Sequence, residues 1–300
     1  MIVNGFHIEP TNICTLKCPG CARTQFIQKW SKHWKNHNLD INKIMNFLDI
    51  DLNGKLIHFC GNYGDPIYHP EFAEMVAAFK NRGSRVLITT NGSYRNAAWW
   101  NDLCNHLDAT DIVQFSIDGT PENFSQYRIN ADWPSIKLGI DICVQRQIPT
   151  EWKYIPFSYN LEDIDQVRRL SQDLGVTNFC ISPSDRFDQF TEHLIPVDTL
   201  LGKRFESQQQ FKKGIVAGVD PDCNRGKSYF ITATGHFAPC CYIADHRFYY
   251  KTDFGKNNNL YDISDSTFSQ MISKPTVMEF YDSIQTKPKP VCQFNCPKTT

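Results

Sequence analysis

The stretch ICTLKCPGCAR, Ile13 to Arg23, places Cys14, Cys18 and Cys21 at a C-x3-C-x2-C spacing. Three thiols so close together are a ligand set before they are anything else. A structural zinc takes four tetrahedral ligands and a catalytic zinc takes three and a water, so a three-thiolate zinc site with a distant fourth ligand fits. A thioredoxin-like pair from Cys18 and Cys21 also fits, but it leaves Cys14 and the loop setting unexplained. Iron-sulfur ligation accounts for more. A [4Fe-4S] cube normally takes four thiolates, and three leave one iron with an open position for a substrate or cofactor.

The chain has 12 cysteines, and a second group gathers near its carboxyl end: Cys223, Cys240, Cys241, Cys292 and Cys296. The remaining Cys60, Cys104, Cys143 and Cys180 stand alone and read as small core residues. The alternating SYFITATGHFAP reads as a β-hairpin around Thr234 and Gly235, which brings Cys223 and Cys240 at its two ends together. With Cys292 and Cys296 from VCQFNCP, four thiols from two distant segments suffice to close a metal site, of iron-sulfur or of zinc. A hairpin and a tail with little core of their own need such a staple.

These groups need elements to position them. Short β-rich runs, GFHIEP, KLIHFCG, RVLITTNG, DIVQFSIDG, EWKYIPFSY and VTNFCISP, alternate with amphipathic segments from DINKIMNFLDI to LEDIDQVRRLSQDLG. Six strands joined by five helices predict a parallel α/β sheet with right-handed crossovers; periodicity leaves open whether it stays flat or curls into a barrel. Cys14 follows the first strand, YGDP the second, Asn91-Gly92 the third, and Ser116 and Asp118 end the fourth. All lie at strand carboxyl ends, the edge where such folds place ligands. Gly-Asp-Pro, SIDG and Asn91-Gly92 are each turn sequences in isolation, and Asn91-Gly92 is left out of the expected site as a common turn dipeptide.

Composition sets the class. The chain has 300 residues, 41% hydrophobic and 21% charged, with a net charge of -1. That is a globular chain with no electrostatic case for general nucleic-acid or membrane binding. MIVNGFHIEPTN lacks a basic n-region and a long apolar run, and no later stretch suits a membrane span, so the cytoplasm is expected and a disulfide framework is not.

The triple-cysteine loop after the first strand, the leading EPTNICTLKC, YGDP and SIDG together resemble the radical S-adenosylmethionine (radical SAM) superfamily, over most of residues 5 to 185. The resemblance implies a partial (β/α)6 TIM-like barrel. It implies that a [4Fe-4S] cluster on Cys14, Cys18 and Cys21 binds SAM through its open iron and, once reduced, cleaves it to a 5′-deoxyadenosyl radical. Tyr63, Gly64, Asp65 and Pro66 correspond to the family's Gly-Gly-Glu-Pro motif, where backbone and an acid receive the SAM ammonium; here Tyr63 replaces a Gly and Asp65 is shorter than Glu. Ser116 and Asp118 resemble groups that face the SAM ribose, and Arg128 an Arg near the SAM carboxylate. The family commonly has an aromatic just before the third Cys, and this chain has Gly20.

The pattern C-x(9 to 15)-G-x4-C, met by Cys223, Gly235 and Cys240, resembles the twitch or SPASM-like extension, which implies a second, auxiliary [4Fe-4S] cluster on Cys223, Cys240, Cys292 and Cys296, with Cys241 the competitor to Cys240. The expected organisation is a radical SAM core over 1–200 and a small cysteine-rich auxiliary domain with a β-hairpin over 201–300. The expected partners are SAM, a peptide or small-molecule substrate, and an electron donor such as a flavodoxin or ferredoxin. The loop TQFIQKWSKHWKNHN, with Trp30, His33, Trp34 and His37, reads as a solvated amphipathic cover or as a surface for an anionic or peptide substrate. The alternative of a different class is a non-catalytic, zinc-stabilised α/β binding protein.

Overall fold

The computed structural model describes residues 3–184, 186–196, 208, 209, 211, 212, 218–221, 223, 229–296 and 298. The six expected strands are present as β1 (Gly5–Ile8), β2 (Leu56–Phe59), β3 (Arg85–Thr90), β4 (Ile112–Ser116), β5 (Thr150–Tyr154) and β6 (Asn178–Ile181). They are parallel neighbours in sequence order. The expected crossover helices are α2 (Ile41–Phe47), α3 (Phe72–Lys80), α4 (Ala97–Cys104), α5 (Trp133–Gln145) and α6 (Ile164–Asp173). Asp40, Asn96 and Asp132 start α2, α4 and α5 by accepting a backbone N–H of the first turn. Gly83 and Gly175, at φ +75 and +78, turn the chain out of α3 and α6.

Among the described residues before β6, one α-helix lies outside the expected set, and further helices follow the hairpin. α1 (Ala22–Trp30) starts directly after Cys21, inside the segment read as a loop. No Pro or Gly interrupts residues 22 to 38, and beside the local Phe26–Trp30 pair, contacts from Phe26 to Trp34 and Tyr63 decide the matter.

The two faces of the sheet differ. The outer face packs Phe59, Phe115 and Trp152 with Phe72, Phe79 and Trp100 of the helices, all completely or almost completely buried. The inner face is polar. His7 and His58 stack at 4.7 Å; His58 Nε2 meets Thr89 Oγ1 at 2.8 Å, Thr89 donates to Gln114 Oε1 at 3.0 Å, Gln114 donates to Glu151, and Asn178 donates to Glu151 Oε2 at 2.8 Å. Residues that follow β1 and residues that follow β6 line one cavity, so the sheet curls around it.

The hairpin is present as β7 (Tyr229–Ile231) and β8 (Phe237–Ala238), joined by a turn with Gly235 at φ +77. β7 pairs parallel to β1, Phe6 opposite Tyr229, so the open sheet has eight strands in the order β6-β5-β4-β3-β2-β1-β7-β8. Phe268, in a helix over Phe268–Ile272, packs on Phe6 and Tyr229 at 4.9 and 5.1 Å. The carboxyl-terminal elements therefore share one core with β1, which corrects the expectation that they have little core of their own. Among the described residues, no helix is long and apolar enough to cross a membrane.

Candidate active site

A cavity of about 430 Å³ opens at the carboxyl ends of the strands, and Cys14, Cys18 and Cys21 all line it. Their loop is strapped on every side. Arg23, in the first turn of α1, donates to the Cys14 and Leu16 carbonyls. Lys17 N–H donates to Ile129 O at 3.0 Å, and Asn130 donates to Thr15 O at 3.3 Å. The leading Thr11 and Asn12 hold the segment beyond α1: Thr11 Oγ1 donates to His37 O, and Asn12 pairs with the Lys35 carbonyl and the His37 N–H. Burial pushes the Cys14 and Cys18 thiols up. Three thiols converging on one enclosed space suit a cluster with three protein ligands.

Gly64 and Asp65 form the next wall. A Cβ on Gly64 would lie 1.8 Å from Thr11 O, so only glycine lets the β2 loop touch the cysteine leader. Asp65 accepts from Thr90 Oγ1 at 2.7 Å, from Asn91 N–H at 2.6 Å and from Asn91 Nδ2 at 2.5 Å, and its carboxylate thus ties the β2 loop to the end of β3. Asn91, set aside as a turn residue, also lines the cavity and places Nδ2 3.6 Å from Cys14 Sγ. Asn-Gly is a turn here too, and its side chain has a second use that a dipeptide cannot reveal. Tyr63, in place of a Gly, sends its ring away from the motif: it packs edge-on to Phe26 and Trp34, and its hydroxyl accepts the His246 N–H at 2.7 Å.

Sequence reasoning missed Glu9. Its buried carboxylate accepts from the N–H groups of Tyr63 and Gly64 at 2.7 and 3.2 Å and from Ala233 N–H at 3.5 Å, clasping β1, the β2 loop and the hairpin turn. Burial raises its pKa to about 7 despite these donors. The signal was a lone acid in the leader EPTN, too small to weigh. A second cavity of about 210 Å³ adjoins Glu9, walled by Phe26, Trp34, His37, Tyr63 and Tyr249.

From β4, Ser116 lines the large cavity. Asp118 is completely buried behind it and accepts from Arg128 Nε at 2.6 Å and Ile155 N–H at 2.8 Å. The cavity wall is formed by Arg128, not by Asp118. Burial works against the Arg128 charge and the Asp118 carboxylate outweighs it, so the guanidinium stays charged. Tyr127 answers the question raised by Gly20. A Cβ on Gly20 would stand 2.9 Å from the Tyr127 hydroxyl, so the space beside the third cysteine is filled by an aromatic from another element.

At the carboxyl end, Cys223, Cys240 and Cys292 are buried in the common core and Cys296 is half-buried. Burial first, then neighbouring Cys241, Cys223 and Cys292, push the Cys240 thiol up, so these groups lie in one another's field. Asp220 N–H donates to Cys296 O at 3.0 Å, and Lys298 N–H to Gly218 O at 2.7 Å, which lays the tail along the segment before Cys223. Cys241 turns its carbonyl to Asn62 Nδ2 at 2.7 Å. Among the described residues, no three Cys, His, Asp or Glu side chains are grouped closely enough to hold one metal ion, at this end or in the amino-terminal loop.

The family model of the radical SAM superfamily matches residues 8–174. A tungsten-containing aldehyde ferredoxin oxidoreductase cofactor-modifying protein of Pyrococcus furiosus is 30% identical over 120 residues, covering 38% of this chain and 31% of that protein, about a third of its length. Native anSMEcpe with bound AdoMet superposes with TM-score 0.62 at 14% identity, covering 97% of this chain and 89% of that chain. SuiB of Streptococcus suis bound to S-adenosylmethionine gives 0.61 at 12%, covering 97% and 77%. BtrN in complex with AdoMet and 2-DOIA gives 0.53 at 14%, covering 100% and 94%. At these identities the likeness to the solved structures is one of fold.

Proposed function

The chain belongs to the radical SAM superfamily, and on that premise we propose that it cleaves SAM at a [4Fe-4S] cluster held by Cys14, Cys18 and Cys21 and acts on a peptide or small-molecule substrate. One observation carries this: the three thiols share a single cavity with Gly64, Asp65, Ser116 and Arg128. A reduced [4Fe-4S] cluster held there would supply the electron that splits SAM into methionine and a 5′-deoxyadenosyl radical able to take a hydrogen atom from the substrate. The chain's own residues bind and orient. The Gly64–Asp65 backbone receives the SAM ammonium, Ser116 faces the ribose, and Arg128 receives the carboxylate. Asp118 works through Arg128 as a positioning residue. A peptide substrate is supported by the fold's use in SuiB bound to precursor peptide SuiA and in anSMEcpe with bound AdoMet and Cp18Cys peptide.

Cys223, Cys240, Cys292 and Cys296 hold the auxiliary cluster in this reading, so residues 1–200 serve as the catalytic core and 201–300 as the auxiliary domain, packed on a common core. A flavodoxin or ferredoxin delivers the electron, in the cytoplasm. The radical SAM family match does not favour the zinc alternative. Anaerobic metal analysis tests both. Two cubes give about eight iron and eight sulfide per chain; about two zinc ions and no iron would overturn the reading.

A further inference from the structure

Lys153 is one of two cations in the large cavity that the proposed SAM contacts leave unused; the other, Arg186, has interactions of its own, Asp245 among them. It lies on the inner face of β5, in register with Ser116 of β4, and its side chain lines the cavity. Among the described residues it has no ion-pair partner. Among the described residues, the acids around it are committed elsewhere. Asp118 is held by Arg128 and the Ile155 N–H. Asp65 is held by Thr90 and Asn91. Glu151, two residues back on the same face, is held by Gln114 and Asn178.

The floor beneath Lys153 supplies no negative charge either. His7 and His58 are neutral there, because burial lowers both and the Lys153 charge lowers them further. Ser182 and Ser184, which follow β6, continue the same wall. Among its described residues, the wall made by β5 and β6 is therefore a set of donors with an unbalanced positive charge.

SAM does not balance it. Its one carboxylate already has Arg128, and its sulfonium and ammonium add positive charge. The anionic three-thiolate cluster of this reading offsets the net positive charge of SAM, and the Lys153 charge is left for an anion to neutralise. We propose that Lys153 anchors a carboxylate, or an equivalent anionic group, of the second substrate and so selects for substrates that carry one. This rests on the reading that the cavity holds SAM.

Three proteins test it: the wild type, Lys153→Met and Lys153→Arg, each reconstituted with iron and sulfide. SAM affinity is measured by equilibrium dialysis, and inorganic phosphate is titrated calorimetrically as the anionic probe, with and without SAM. The wild type and Lys153→Arg are expected to bind phosphate, and Lys153→Met to bind it more than about tenfold more weakly, with SAM affinity within about twofold in all three. Phosphate binding that is absent in the wild type, or equal in Lys153→Met, overturns the inference. SAM affinity that falls about tenfold in Lys153→Met assigns the lysine to the SAM carboxylate instead and also overturns it. A wild type that binds no SAM sinks the reading of the cavity, and the titration without SAM still reports on Lys153.

Discussion

Asp118 never reaches the cavity, yet it fixes the group that does. Its partner Arg128 keeps a side chain only 15% exposed, so Asp118→Ala leaves a buried charge unpaired and should cost about 3–5 kcal/mol. Urea unfolding checks this, and Asp118→Asn, which keeps an acceptor for Arg128, should lose less. A wild-type midpoint for Asp118→Ala would contradict the pairing. Glu9 makes a different residue-scale prediction. Its pKa rises from 4.5 to about 7 on folding, so the folded state holds a proton that the unfolded state releases between those values. The stability from that proton is full below pH 4.5 and is lost as pH climbs through 7, by up to about 3 kcal/mol. In Glu9→Gln this part of the slope should vanish; an unchanged pH profile would mean that the carboxylate does not titrate there.

Loops tied to strand ends, more than the strands, build the site. Gly64→Ala drives a Cβ into Thr11 O, and the β2 loop must leave the cysteine leader, at about 1–3 kcal/mol of stability and more than about tenfold in SAM affinity. Normal SAM binding by that variant would show that the loop contact is not needed. Gly20→Phe should likewise collide with the Tyr127 hydroxyl, and adding Tyr127→Ala should recover part of the loss, a coupling that thermal unfolding of the single and double variants would measure. The periodicity of β1–β6 and α2–α6 was legible because each buries one outer face against a neighbour in sequence order. α1 was not, since its hold on Tyr63 and His246 is tertiary. The cysteine spacing named the cluster loop, whereas Glu9, Asn91 and Tyr127 take their roles from contacts with chain 54, 77 and over 100 residues away.

At the scale of the molecule, β7 beside β1 joins the two cysteine groups through one sheet. No local pattern announces a parallel pair made across more than 200 residues. The pairing makes the carboxyl-terminal region less dependent on a metal staple than its sequence suggests, so loss of the auxiliary cluster should loosen the 223 to 296 region without unfolding the barrel. Limited proteolysis of Cys240→Ala checks this; equal sensitivity to wild type, with Cys241→Ala the labile one, would exchange the two ligands. The central claim is that the amino-terminal cysteine loop is where SAM is cleaved. The most direct test is 5′-deoxyadenosine formed under anaerobic reduction by the wild type and by the variant with Cys14, Cys18 and Cys21 all replaced by Ala. The account predicts product from the wild type and none from the variant, which keeps its auxiliary iron; undiminished product from the variant would contradict it.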